Sequence, residues 1–175
     1  MTLYRRIDRL MHQIAAAMAL AGGAVLVALV VMTTASVTGR ALIVAGLGPV
    51  PGDFELVEMG TAFAVFAFLP WCQITGGHAR VEVFTARLPR RARAVLDAAA
   101  DLAFMAVAVL ITWRLWLGLA DKRAFGETTF ILQWPLWWAY AAAFFASVVF
   151  VAVSMWCVVR SFSTLAGRQA ARPAP

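Results

Sequence analysis

Arg40, Glu55, Glu58 and Arg114 border or interrupt long apolar stretches of this chain. A charge in an apolar run is costly, so each marks a structural or functional need. Glu58 lies about one turn into its run, and Arg114 about one and a half turns from the end of another. If successive runs are antiparallel helices, these two share a depth, with Arg40 and Glu55 nearer the surface. The spacing predicts one polar cluster that ties three helices together. Separate snorkelling of each side chain to interfacial water is the alternative.

A second set lies elsewhere. Asp97 and Asp101 are four residues apart, hence on one helix face, and Arg93 is four before Asp97. His78 and Arg80 arrive from the segment just before. A proton relay or cation site would be the sharpest use of such acids. A relay needs groups spaced across the membrane, and about 20 Å separates Asp101 from Arg114 along a helix axis with nothing ionisable between them. His12 and His78 are the only histidines. One precedes its apolar run and the other sits in a Gly-Gly-His turn, which does not make a haem pair. Cys72 and Cys157 do not make a metal site, and their placement in or near apolar runs speaks against a disulfide. No HExxH, GxSxG, CxxC or phosphate loop occurs, so an enzyme has no nucleophile or metal site to stand on. Neither a catalytic residue nor a cofactor is expected.

The elements that must position these residues follow from the charge-free stretches. No charged residue lies between Arg9 and Arg40, between Glu58 and Arg80, or between Glu127 and Arg160. A bilayer takes roughly 20 apolar residues to cross. A fourth run near Val95 to Leu119 carries only Asp97, Asp101 and Arg114. The composition agrees, at 63% hydrophobic and 14% charged residues, against about 25% charged in soluble domains. Backbone groups in lipid must be satisfied within their own segment, so the spans are helices; the runs lack the alternation of barrel strands. The expected fold is an all-α integral membrane protein. One four-helix domain covers residues 1–175, with spans near 14–36, 54–75, 95–119 and 135–159.

The net charge of +6 speaks for a membrane surface rather than nucleic acid. Arginines crowd before the first span, between the second and third, and after the fourth, while only Arg40, Lys122 and Arg123 fall in the other loops. This bias places both termini and the middle loop in the cytoplasm. Trp113, Trp116, Trp134, Trp137 and Trp138 gather at the opposite, outer interface, with Trp71 and Trp156 at the inner one. That pattern is an aromatic belt, which anchors to lipid or docks another membrane subunit. The start, Leu3 to Met11, is amphipathic. It reads as a short helix on the membrane surface or as a cytoplasmic extension of the first span. The inner loop from His78 to Leu88 suggests a second surface-lying segment. Gly22-Gly23 allows close helix approach, Asp53 is placed to cap span two, and Pro89 fits the first turn of helix three.

The stretch Gly76-Gly77-His78-Ala79-Arg80-Val81-Glu82 resembles the signature loop of the small membrane subunit, the DctQ type, of tripartite ATP-independent periplasmic (TRAP) transporters. Further features match in order: Gly39-Arg40 closing span one, Glu55 and Glu58 opening span two, and Glu127-Thr128-Thr129 before Pro135-Leu136-Trp137-Trp138-Ala139-Tyr140 at span four. Glu82 stands where the family more often has Asp. The resemblance covers essentially the whole chain. It implies a small permease subunit in the bacterial inner membrane, partnered by a large multi-span subunit that carries an organic acid with sodium. A periplasmic binding protein delivers that substrate. It also implies an inner loop motif of Gly77, His78, Arg80 and Glu82, with Asp97 and Asp101 beside it. With the charge distribution, it makes Asp53, Asp121, Lys122, Arg123 and Glu127 the expected docking charges for the binding protein. The competing expectation is a structural anchor for some other membrane complex. A drug/proton antiporter would need an acid in its first span, and a cytochrome-type anchor would need histidines inside spans; neither is present.

Overall fold

The computed structural model describes residues 2–77 and 90–165, all but a short bridge being helical or irregular. Among the described residues the α-helices are α1 (Thr2–Ala41), α2 (Asp53–Thr75), α3 (Arg90–Phe125) and α4 (Trp137–Leu165). A single 3-10 turn, Ile43–Ala45, follows α1. Each of the four is long and apolar enough to cross a membrane. The expected all-helical fold is present, and polar residues that continue the helical pattern carry three of the helices past the apolar runs. The amphipathic start is the extension of the first span: α1 runs unbroken for 40 residues, or about 60 Å at 1.5 Å per residue. Nearly twice the hydrocarbon thickness, it must project beyond the bilayer. The residues expected to form the inner surface segment, and Pro89, lie outside the described part.

Packing pairs fix the arrangement. Gly22 of α1 faces Ala64 and Ala67 of α2, and Gly60 of α2 faces Val25 and Leu29 of α1, so these two helices are antiparallel. Ala15, Ile74, Val153 and Cys157 form one buried cluster, and Met18, Ala67 and Ala146 another. The series 67 to 146 and 74 to 153 makes α2 and α4 parallel neighbours. Gly118 of α3 meets the Tyr140 ring of α4, and Trp116 lies 5.4 Å from Phe144, which makes that pair antiparallel. Both termini sides thus lie at one end of the bundle, the termini end, and the two loops 42–52 and 126–136 at the other, the loop end.

Helix α4 is the centre. Its apolar window is 44% buried against 17% for α1 and for α3. The buried contacts are mostly small: Ala15, Ala64, Ala67, Ala98, Ala108, Ala143, Ala146, Ser147 and Ser154. Lipid tails are as apolar as leucine, so helices in a bilayer gain by backbone approach and dispersion rather than by hiding large side chains. The large ones point outward instead, as Leu20, Val27, Val30 and Val31 do on α1.

Of the expected glycine pair only Gly22 makes a close approach. A Cβ there would meet the Ala67 Cβ at 2.9 Å, whereas one at Gly23 would meet nothing within 4 Å. Gly22→Val should therefore force α1 from α2, at about 1–3 kcal/mol for overpacking. Gly23→Val should be nearly neutral. Thermal melting of both variants in the same detergent checks this: equal midpoints would refute the contact.

Candidate functional site

The polar side chains collect at the two ends of the bundle. At the loop end the anchor is Asp53, the first residue of α2. Its Oδ2 accepts from the buried Ser36 hydroxyl at 2.6 Å and lies 3.3 Å from Arg40 Nη2. Ser36 Oγ in turn accepts from the Val50 amide at 3.2 Å. One carboxylate thus joins the end of α1, the first loop and the start of α2. Asp53 was expected as the N-cap; that position belongs to Gly52, whose φ of 72° suits a residue without a Cβ. Asp53 is one step inside the helix, where its charge still opposes the positive helix end.

Glu55 has a different task. Its two carboxylate oxygens accept from the backbone amides of Ile131, at 2.7 Å, and Leu132, at 3.0 Å. The second loop is clasped in turn by bonds from the Thr129 amide to the Trp134 carbonyl and from the Leu136 amide to the Glu127 carbonyl, each 2.9 Å. Gln133, the one described non-glycine residue at positive φ (54°), donates through Nε2 to the Phe130 carbonyl at 2.8 Å. Leu132 sits under Gly52, where a Cβ would come within 2.5 Å of its Cγ. The two loops are therefore one unit. Its apolar tip is Phe130, which is 96% exposed, with Ile131 beside it.

The expected cluster of Arg40, Glu55, Glu58 and Arg114 does not form. Arg40 joins Asp53 and Glu55 holds the loop. Glu58 and Arg114 are both exposed, and among the described residues no ion pair joins them. Arg114 lies over its neighbour Trp113, 6.0 Å from the ring centroid. The reason is geometric: an open cleft lined by Phe66 and by residues 110, 111 and 113–115 separates α2 from α3 at this level. Among the charges expected to dock a partner, Lys122 pairs with Glu127 at 2.6 Å, and Arg123 stands 5.7 Å over the Trp137 ring. Asp121 is exposed. Trp113, Trp116, Trp134 and Trp138 are exposed and Trp137 is half-buried.

At the termini end Asp101 is the centre. It is 5% exposed and accepts from Gln73 Nε2 at 3.1 Å and from the Ser161 hydroxyl, joining α2, α3 and α4. The last carbonyls of α2 lack helical partners and find others. Arg160 Nη2 donates to the Ile74 carbonyl at 3.3 Å, and the Cys157 thiol approaches that of Gln73 at 3.8 Å. Gly76, at φ 73°, closes the helix, and the Gly77 amide bonds the Cys72 carbonyl at 2.9 Å. A second carboxylate, Asp8 of α1, accepts from Trp156 Nε1 at 2.9 Å and pairs with Arg160 at 3.7 Å, and its backbone carbonyl lies 2.9 Å from His12 Nδ1. Asp97 is half-buried one turn before Asp101. His78, Arg80 and Glu82 lie outside the described residues.

Sequence reasoning found Asp101 but missed most of its company. Gln73 was visible as an amide side chain in an apolar run, the signal that could have named it, whereas Ser36 at the loop end is one hydroxyl among Thr33, Thr34 and Thr38. Asp8, Trp156 and Arg160 gave none, because only the packing of α1 on α4 brings them together, and Ser161 reaches Asp101 only because α4 packs on α3. Among the described residues no group of three or more His, Cys, Asp or Glu could hold a metal ion. The arrangement fastens helices; it presents no nucleophile beside a base.

A family model described as the DctQ component of tripartite ATP-independent periplasmic transporters matches residues 29–164. The match spans the last third of α1, all of α2 and α3, and α4 up to its last residue, and the chain belongs to this family. No curated protein and no solved structure matches it. The chain is thus the small subunit of a TRAP transporter, a membrane transport component and not an enzyme.

Two outcomes follow from the geometry. Glu55→Ala should free the Ile131 and Leu132 amides to exchange with solvent deuterium much faster, while Glu58→Ala leaves them slow. Asp101→Ala strands Gln73 Nε2 and the Ser161 hydroxyl in a buried place, a loss of about 1–3 kcal/mol. It should show as a lower melting temperature in detergent. Unchanged exchange at 131 and 132, or an unshifted melt, would contradict the respective contact.

Proposed function

We propose that this chain is the fixed scaffold of its transporter in the bacterial inner membrane. It holds a large multi-span subunit that carries an organic acid by sodium-coupled elevator motion. Its loop end helps to dock the periplasmic binding protein. The observation that carries this reading is the empty midplane. No Asp, Glu, Lys, Arg or His lies between His12 and Arg40 of α1, beyond Glu58 in α2, between Asp101 and Arg114 of α3, or before Arg160 in α4. Ion-coupled carriage uses such groups, or unwound helix backbone, near the middle of the bilayer. With no such charge here and all four helices continuous, the ion and substrate path belongs to the partner.

Orientation supports the docking half. The arginine bias puts the termini end in the cytoplasm and the loop end in the periplasm. There Asp53, Lys122 and Glu127 are engaged within the chain and shape the surface, whereas Asp121 and Arg123 lie exposed on it. Charges at an interface rim chiefly set on-rate and salt dependence. Arg123→Glu in a reconstituted three-part transporter should therefore raise the binding-protein concentration for half-maximal uptake several-fold, more so at low salt. Lys122→Glu, facing Glu127, should disturb the loop as well. Uptake curves superimposing with wild type across binding-protein and salt concentrations would remove the docking role. For orientation, a cysteine placed at position 170, with Cys72 and Cys157 replaced, should react only with reagents that reach the cytoplasm; labelling from the periplasm would reverse the topology.

A further inference from the structure

Helices α2 and α3 meet at the termini end through Gln73 and Asp101 and part further along. The gap is a cleft of about 620 Å³ between Phe66 on one side and Leu110, Ile111, Trp113, Arg114 and Leu115 on the other. Its lining side chains carry one charge, the Arg114 guanidinium, and are otherwise apolar but for the Trp113 indole N–H. Arg114 is exposed, and no carboxylate among the described residues comes within ion-pair distance of it. A cation without a counter-charge thus borders an apolar slot that opens sideways.

We propose that this cleft is a phospholipid site, with one acyl chain lying in the slot and the lipid phosphate paired with Arg114. The inference goes beyond the scaffold reading and needs only that the chain spans a bilayer. A slot open to hydrocarbon is filled by hydrocarbon, since water there would lose its hydrogen bonds. The guanidinium is planar and weakly hydrated and matches a phosphate with two parallel N–H bonds. The height is right as well. Arg114 falls between Trp113 and Trp116, the residue type that gathers at the headgroup level. Its flexible stem can lift the charge toward the surface while its methylenes stay against the apolar wall. A helix of another subunit would fill the slot only by bringing an acid to Arg114, and that is an outcome the test can register.

The test uses the purified complex in detergent, depleted of its own lipid, with assembly scored on the same preparation. If no large subunit copurifies, the identical titration is run on this chain alone, so failure of the scaffold reading and of the lipid site are told apart. Fluorescence quenching by phosphatidylglycerol with brominated acyl chains is compared with quenching by diacylglycerol bearing the same chains. The Trp113 contribution is obtained as the difference from a Trp113→Phe protein. Phosphatidylglycerol should quench Trp113 saturably at a concentration at least tenfold below diacylglycerol. Arg114→Gln should abolish that preference, and Leu110→Phe should reduce saturable quenching by filling the slot with Arg114 intact. Should Arg114→Gln fail to assemble, the wild-type comparison and Leu110→Phe decide. Equal quenching by the two lipids, quenching indifferent to both substitutions, or efficient cross-linking from position 110 to the large subunit would overturn the proposal.

Discussion

Inside a bilayer no water stands ready to satisfy a stray polar group, and this restriction shapes the molecule from end to end. It forces the backbone into four continuous helices, since only there is every amide paired within its own segment. It removes ionisable side chains from the middle and leaves the contacts there to alanine, glycine and serine. It also decides where polar links can form. They lie at the two ends, and in each case a carboxylate takes several donors at once: Asp53 and Glu55 at the loop end, Asp8 and Asp101 at the termini end. The bundle is a set of closely approaching rods, tied at both ends.

The parts of this arrangement differ in how far they can be read from residues alone. The four spans were legible because a soluble fold rarely keeps a run of bilayer length free of charge. The ends of the helices were less so: α1 and α3 continue past the apolar runs because Arg5 to Arg9 and Asp121 to Arg123 are also tolerated in helix. Partner choice was the least legible. Equal depth suggested Glu58 with Arg114, yet depth fixes only one coordinate; the spreading of α2 from α3 sets the other, and it keeps them apart. Glu55 was visible as an acid near a helix start. Its actual partners are backbone amides, which every residue but proline carries and no sequence pattern marks. Asp101 could be named because an acid in an apolar run stands out, whereas Ser161 and Gln73 could be assigned to it only once three helices were placed.

These ties bear on transport. A scaffold has to hold one shape while its partner moves, and links that each join two or three helices resist sliding of one against another. Asp101 binds α2, α3 and α4 together, and the Asp8 group binds α1 to α4. Glu55 does the same for the loops, since the second loop cannot rise from the bundle without losing two charge-assisted bonds. The loop unit is thereby kept at a set height on the bundle, with Phe130 and Ile131 at its tip and tryptophans around its base. The central α4, clamped by α1, α2 and α3, gives the least scope for rearrangement.

The central claim, that these four helices do not move against one another during transport, can be tested by locking them. Ala67 of α2 and Ala146 of α4 lie in one buried cluster. With Cys72 and Cys157 replaced, cysteines at 67 and 146 can be joined by a short thiol cross-linker in the assembled transporter. Substrate uptake is then measured before joining, after it, and after release of a cleavable linker. The scaffold account predicts the same uptake in all three states. Uptake that stops on joining and returns on release would mean that α2 and α4 must separate or slide, and would contradict it.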